Sequence, residues 1–128
     1  MSYVDWDYYS TFYTEIADEE TFDRLCAKAE GKLDAFTHMR AMRFMRDYRK
    51  TYATDFQKQV CTQVKNTVCE LLNTIYMHET SGMGTGITSV SNDGYSESYK
   101  ITTEAEKEAQ LYSIVRTGLA GTGLAGVL

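Results

Sequence analysis

A chain of 128 residues, 43% hydrophobic and 24% charged, has the size and core-forming material of one compact domain, which excludes a two-domain enzyme and a disordered chain. Thirteen Lys and Arg against eighteen Asp and Glu leave a net charge of −5, the wrong sign for a protein whose main task is coating nucleic acid. Three cysteines, Cys26, Cys61 and Cys69, cannot all pair within one chain, and the acidic, aromatic opening does not read as a secretion leader, so the expectation is a protein made in a reducing cytosol. The most weakly charged stretch, residues 111–128, contains Arg116 and four glycines and falls short of the ~20 continuous apolar residues of a membrane span.

There is no proline, so helices must be stopped by glycine and polar turns, and eight of the nine glycines lie after residue 81. This divides the chain into a helix-favouring body, residues 1–80, and a glycine-punctuated remainder. In the body, Asp5 is placed to cap a short helix carrying Trp6, Tyr9, Phe12 and Tyr13. Asp18 followed by Glu19, Glu20 and Thr21 marks a second start, and Phe22, Leu25, Cys26, Ala29, Leu33 and Phe36 then recur at three- and four-residue intervals. This predicts an amphipathic helix to about Phe36.

A third helical stretch from Thr37 or His38 carries Ala41, Phe44, Met45, Tyr48 and Tyr52 as its apolar stripe. From Asp55, the series Phe56, Val60, Val64, Val68, Leu71, Leu72 and Ile75 predicts a central helix of about six turns. The run 80–86 ends it. Residues 87–90 and 95–101, separated by Asn92-Asp93-Gly94, read as an antiparallel β-hairpin at about 87–101. Two strands alone are marginal, so Ile87, Val90, Tyr95 and Tyr99 are expected to pack on the body or on a neighbouring subunit. Thr103 and Glu106 have capping-box spacing, opening a last helix that buries Ala105, Ala109, Tyr112 and Val115 and ends near Gly118. The remainder repeats Gly-Leu-Ala-Gly and is apolar yet unsuited to helix, which predicts an extended docking arm, residues 118–128, using Leu119, Leu124, Val127 and Leu128. The fold expected is therefore mainly α: a small helical bundle, residues 1–117, with a projecting β-hairpin and an extended C-terminal arm.

No catalytic constellation, cofactor motif or metal motif is present in the sequence. His38 and His78 lack the spacing of a zinc site, Cys61 and Cys69 read as core, and Gly82-Met83-Gly84-Thr85-Gly86 lacks the ending of a phosphate loop. The densest charge feature is Arg40, Arg43, Arg46, Arg49 and Lys50, opposed only by Asp47. These side chains either face phosphates or an acidic partner, or form a solvated helix face paired with local carboxylates.

The ordered set Val4-Asp5-Trp6-Asp7-Tyr8-Tyr9, Phe22-Asp23-Arg24-Leu25-Cys26-Ala27-Lys28-Ala29, Leu33-Asp34-Ala35-Phe36-Thr37 and Val64-Lys65-Asn66-Thr67-Val68-Cys69-Glu70-Leu71-Leu72 opens a wider pattern. Residues 86–99 and Gly118-Leu119-Ala120-Gly121-Thr122-Gly123-Leu124 complete it. Together these segments resemble the head-tail connector, or head-completion adaptor, proteins of long-tailed bacteriophages and prophages. Where those relatives end in a Tyr-Arg-Gly-type motif, this chain reads Ala125-Gly126-Val127-Leu128. The resemblance implies a non-enzymatic virion protein, assembled in the host cytoplasm and placed at the head-tail interface. Its partners would be the portal protein, the next neck or stopper protein, further copies of itself in a ring, typically a dodecamer, and the packaged DNA passing through the channel; no cofactor or membrane is involved. A second expectation, from a different class, is a small helical nucleic-acid-binding regulator that uses the basic segment 40–50.

Overall fold

The computed structural model describes residues 2–82 and 103–125, and among these the protein is mainly helical, with no strand. Five α-helices follow in order: α1 (Trp6–Phe12), α2 (Glu19–Phe36), α3 (Arg40–Asp47), α4 (Asp55–Gly82) and α5 (Glu104–Gly118), with a single 3₁₀ turn at Lys50–Tyr52. The mainly α class stands, but the projecting β-hairpin is not supported. Its residues Ile87, Val90, Tyr95 and Tyr99 lie outside the described residues.

Short polar side chains set most of the helix starts. Asp5 accepts a hydrogen bond from the Tyr8 N–H (2.8 Å) and Asp18 from that of Thr21 (2.8 Å), each occupying an otherwise unpaired helix donor. That bond from the Thr21 backbone holds the Asp18 carboxyl below its ordinary value. Two helices open with reciprocal capping boxes. At α5, Glu106 N–H donates to Thr103 Oγ1 (3.1 Å) while Thr103 N–H donates to Glu106 Oε1 (2.9 Å). At α4, Gln57 N–H donates to Thr54 Oγ1 (3.1 Å) and Thr54 N–H to Gln57 Oε1 (2.9 Å).

The α2–α3 junction is built differently. His38 and Met39 both take left-handed backbone conformations, φ 54° and 66°, which cost non-glycine residues roughly 1–2 kcal/mol each. Buried Thr37 secures the turn by accepting the Ala41 N–H on its Oγ1 (3.2 Å).

At 28 residues, α4 is about 42 Å long and forms the axis of the molecule. Helices α2 and α5 both run antiparallel to it. Arg24 and Lys28, early in α2, pair with Glu79 late in α4, and His78 meets Gln110 of α5 (2.7 Å). Between α2 and α5, Lys32 pairs with Glu108 and the Phe36 and Tyr112 rings meet edge-on at 5.5 Å, so these two helices run parallel. The resulting three-helix bundle buries Leu25, Leu33, Val64, Val68, Leu71, Leu72 and Val115 completely. Helix α1 closes one side through an aromatic cluster: Tyr9 lies 5.2 Å from Phe22 and 5.4 Å from Tyr13, and its hydroxyl donates to Asn73 (2.5 Å).

Several predicted faces shift. In α5 the buried residues are Leu111 and Val115, whereas Ala105, Ala109 and Tyr112 are exposed. Phe12, expected to pack, is exposed, as are Tyr52 and Phe56. The third helix ends at Asp47, so Tyr48 and Arg49 are extended backbone rather than a continuation of its stripe.

The largest correction concerns the C-terminal arm. Leu119 is only 1% exposed and belongs to the core, with Leu124 and Ala125 packed against it. Gly121 and Gly123, both at φ 82°, let the chain fold back rather than extend. Thr122 closes this turn by donating its hydroxyl to the Leu119 carbonyl (2.7 Å) and accepting the Leu124 N–H (3.1 Å). Gln63 donates to the carbonyls of Gly118 and Ala120 (both 3.1 Å), tying the segment to α4. The close approach of α5 to α4 explains Gly118: a Cβ there would stand 2.2 Å from Thr67 Oγ1.

Candidate functional site

The basic segment occupies the corner where α3 gives way to α4. Its four arginines do not share one helix face. Arg40 Nε donates to the Leu124 carbonyl (2.7 Å), so it serves the return of the C-terminal segment. Arg46 forms a fork on Asp47, with Nε–Oδ1 at 3.0 Å and Nη2–Oδ2 at 3.3 Å, and this hydrogen bonding holds the Asp47 carboxyl below its ordinary value. Arg49 Nη1 donates to the carbonyls of Arg46 and Tyr48 (both 2.9 Å) and thereby braces the turn. Arg43 points to solvent and makes no ion pair among the described residues.

Beside these charges stand two aromatic side chains that periodicity assigns to the interior. Tyr52 is 85% exposed and Phe56 60% exposed, with Lys50 and Lys58 exposed around them. Both aromatics are displaced for one reason. Thr54 caps α4, so Phe56 falls in its first turn, at the end of the bundle remote from the α2 start, while Tyr52 sits in a 3₁₀ turn outside any helix stripe. The signal that locates them is the Thr54-to-Gln57 capping spacing, which breaks the apparent continuity from Tyr48 to Phe56. The corner itself is anchored inward by Phe44 and Tyr48, whose rings lie 5.7 Å apart, and by contact of the Tyr48 side chain with Cys61.

A second surface feature, which sequence patterning does not show, is an open groove of about 420 Å³ between α4 and α5. Gln63, Asn66 and Glu70 line one wall; Ser113, Ile114 and Thr117 line the other. At its edge Tyr8 donates to Asn66 Oδ1 (2.6 Å), with Lys65 Nζ 5.2 Å from the Tyr8 ring centre and the Phe12 ring tilted against it at 5.0 Å. The groove thus presents amide, hydroxyl and one carboxylate group around a small apolar patch.

The titratable groups with perturbed chemistry lie elsewhere, under the N-terminal segment. The Tyr3 N–H donates to Glu30 Oε2 (2.6 Å), the Tyr3 hydroxyl donates to the Asp34 carboxylate (2.8 Å), and the Cys26 thiol donates to Glu30 Oε2 (3.3 Å). Burial raises both carboxyls above their ordinary values, with hydrogen bonding opposing the rise. Burial also pushes up the thiols of Cys26 and Cys69, the latter to about 12, which keeps them protonated and poorly nucleophilic. This arrangement pins residues 2–4 to α2. Among the described residues, no three His, Cys, Asp or Glu side chains converge as a metal-ligand set, and no helix is long and apolar enough to cross a membrane.

Of the arm residues expected to dock elsewhere, Leu119 is core and Leu124 half-buried against it; Val127 and Leu128 lie outside the described residues, as do the four hairpin positions. Comparison with protein-family models, with characterised proteins and with solved structures finds no match to this chain.

Proposed function

We propose that this chain is a structural assembly protein, a head-completion adaptor that forms a ring beneath the portal, joins the DNA-filled head to the tail and extends the DNA channel. The reading rests on the resemblance of its ordered segments to that class. The observation that supports it is the combination of a completed core with large apolar side chains left outside. Phe12, Tyr52, Phe56 and Met77 are each more than half exposed, although 21 apolar residues among those described are buried. Large exposed side chains carried on helices and a tight turn suit protein contacts, where aromatic anchors carry much of the binding energy.

The partners in this proposal are the portal, the next neck or stopper protein, further copies in a ring, and the DNA within the channel; the site of action is the head-tail interface of the virion. The nucleic-acid-binding alternative draws less support, because Arg40, Arg46 and Arg49 are engaged within the chain. The test is removal of this gene from the genome that encodes it, followed by electron microscopy of the particles. DNA-filled heads without tails, restored to tailed particles by adding the purified protein, are expected; normal tailed particles in its absence overturn the proposal.

A further inference from the structure

The bundle is electrically polar along its long axis. At the α4 N-terminal end, residues 40–58 carry six Lys and Arg against two Asp. At the other end, residues 15–23 carry five carboxylates and no basic side chain. The pairing of Arg24 and Lys28 with Glu79 fixes the start of α2 beside the end of α4, so these two charge groups stand at opposite ends of the molecule. From Phe56 to Met77 the separation along α4 is about 30 Å.

Each end also carries exposed apolar surface. Tyr52 and Phe56 stand at the basic end, and Met77, 54% exposed, stands on α4 at the acidic end. The local ion pairs do not neutralise this polarity: at the acidic end Arg24 and Lys28 are engaged by Glu79, which leaves Glu19, Glu20 and Asp23 exposed, and at the basic end Asp47 is engaged by Arg46, which leaves Arg43, Lys50 and Lys58 exposed.

We infer that the basic, aromatic end of one copy docks on the acidic end of a second copy, in a head-to-tail contact. The occupant is a second copy because the complementary surface is carried by the same chain. Opposite potentials guide the two ends together, and burial of Tyr52 and Phe56 supplies the apolar part of the contact. Such a contact joins two different patches, so repeated addition gives a closed ring or an open chain of copies, depending on the rotation between neighbours. The inference deepens the assembly reading and rests on it for the expectation that copies meet.

The test is sedimentation of the whole chain at about 50 mM and about 500 mM salt, with two charge-reversed variants. One carries Arg43→Glu, Lys50→Glu and Lys58→Glu; the other carries Glu19→Lys, Glu20→Lys and Asp23→Lys. None of these side chains makes a tertiary bond among the described residues, and the helix-capping Asp18 is left intact. The wild-type chain is expected to associate at low salt and to come apart at high salt. Each variant alone is expected to bind itself at least about tenfold more weakly. A mixture of the two variants is expected to associate again, since each then offers the charge the other lacks. Recovery on mixing also shows that both variants are folded.

A wild-type chain that stays monomeric up to millimolar concentration at low salt overturns the inference, as does undiminished association of either variant or failure of the mixture to associate. Tailless particles on gene removal combined with a monomeric chain reject this contact and leave the assembly reading in place. Tailed particles combined with recovery on mixing do the reverse.

Discussion

Residues 118–125 and the corner at 48–58 exchange the roles that their compositions suggest. The first is glycine-rich and cannot sustain a helix, yet it folds back, buries Leu119 and gives Leu124's carbonyl to Arg40. The second continues an apolar periodicity, yet Tyr52 and Phe56 stand in solvent. The difference lies in what faces each segment. Gly118 brings α5 close to α4, and Gln63 supplies donors for the carbonyls left open at the α5 C-terminus, so the following residues have a surface to cover. At the corner, Thr54 starts α4 at the far end of the bundle, and among the described residues the first turn of the helix, residues 55–58, is exposed. Apolar character makes a residue available for burial; the position of its neighbours decides whether burial occurs.

Truncation has the largest expected effect. Removing everything after Gly118 takes away one fully buried leucine and one half-buried leucine, a loss of roughly 3 kcal/mol or more. For a chain of this size that lowers Tm by about 10 °C, readable by calorimetry. An unchanged Tm restores the expectation of an independent arm. A smaller effect, about 1–3 kcal/mol, is expected for Gly118→Ala, whose methyl group meets the buried Thr67 side chain. Combining it with Thr67→Ala relieves that clash, so the double variant is expected to be more stable than the sum of the two single changes predicts.

The N-terminal attachment gives a pH test of modest size. Burial raises Glu30 and Asp34, so near their raised values the folded chain holds more protons than the unfolded one, and stability increases as pH falls from neutral through that range. Hydrogen bonds from Arg24 and Lys28 lower Glu79, and that contribution, present above the ordinary carboxylate value, is lost as pH falls through the lowered one. The two trends oppose each other. Denaturant titrations across pH are expected to show a smaller gain on mild acidification in Glu30→Gln than in wild type; an identical profile removes Glu30 from the account.

Much of the bundle is legible in the sequence because its signals are local. The α2 stripe from Phe22 to Phe36, the α4 series from Val60 to Ile75 and the Thr103-to-Glu106 capping box each follow from spacing alone. The misreadings arise where the cause is distant or unusual. Nothing nearby announces that Tyr3 reaches Glu30 and Asp34 on α2. His38 and Met39 are poor markers of left-handed backbone, and only the buried Thr37 explains how the turn is held. The Thr54-to-Gln57 spacing marks Phe56 as a first-turn residue, but the continuous apolar series from Tyr48 through Phe56 to Val60 masks that local cue.

Paired unfolding measurements on Leu119→Ala and Phe56→Ala put the central contrast on one scale. The expected loss is about 2–5 kcal/mol for the first, and the expected change for the second is within about 0.5 kcal/mol. A small loss at Leu119 with a large one at Phe56 would contradict that contrast.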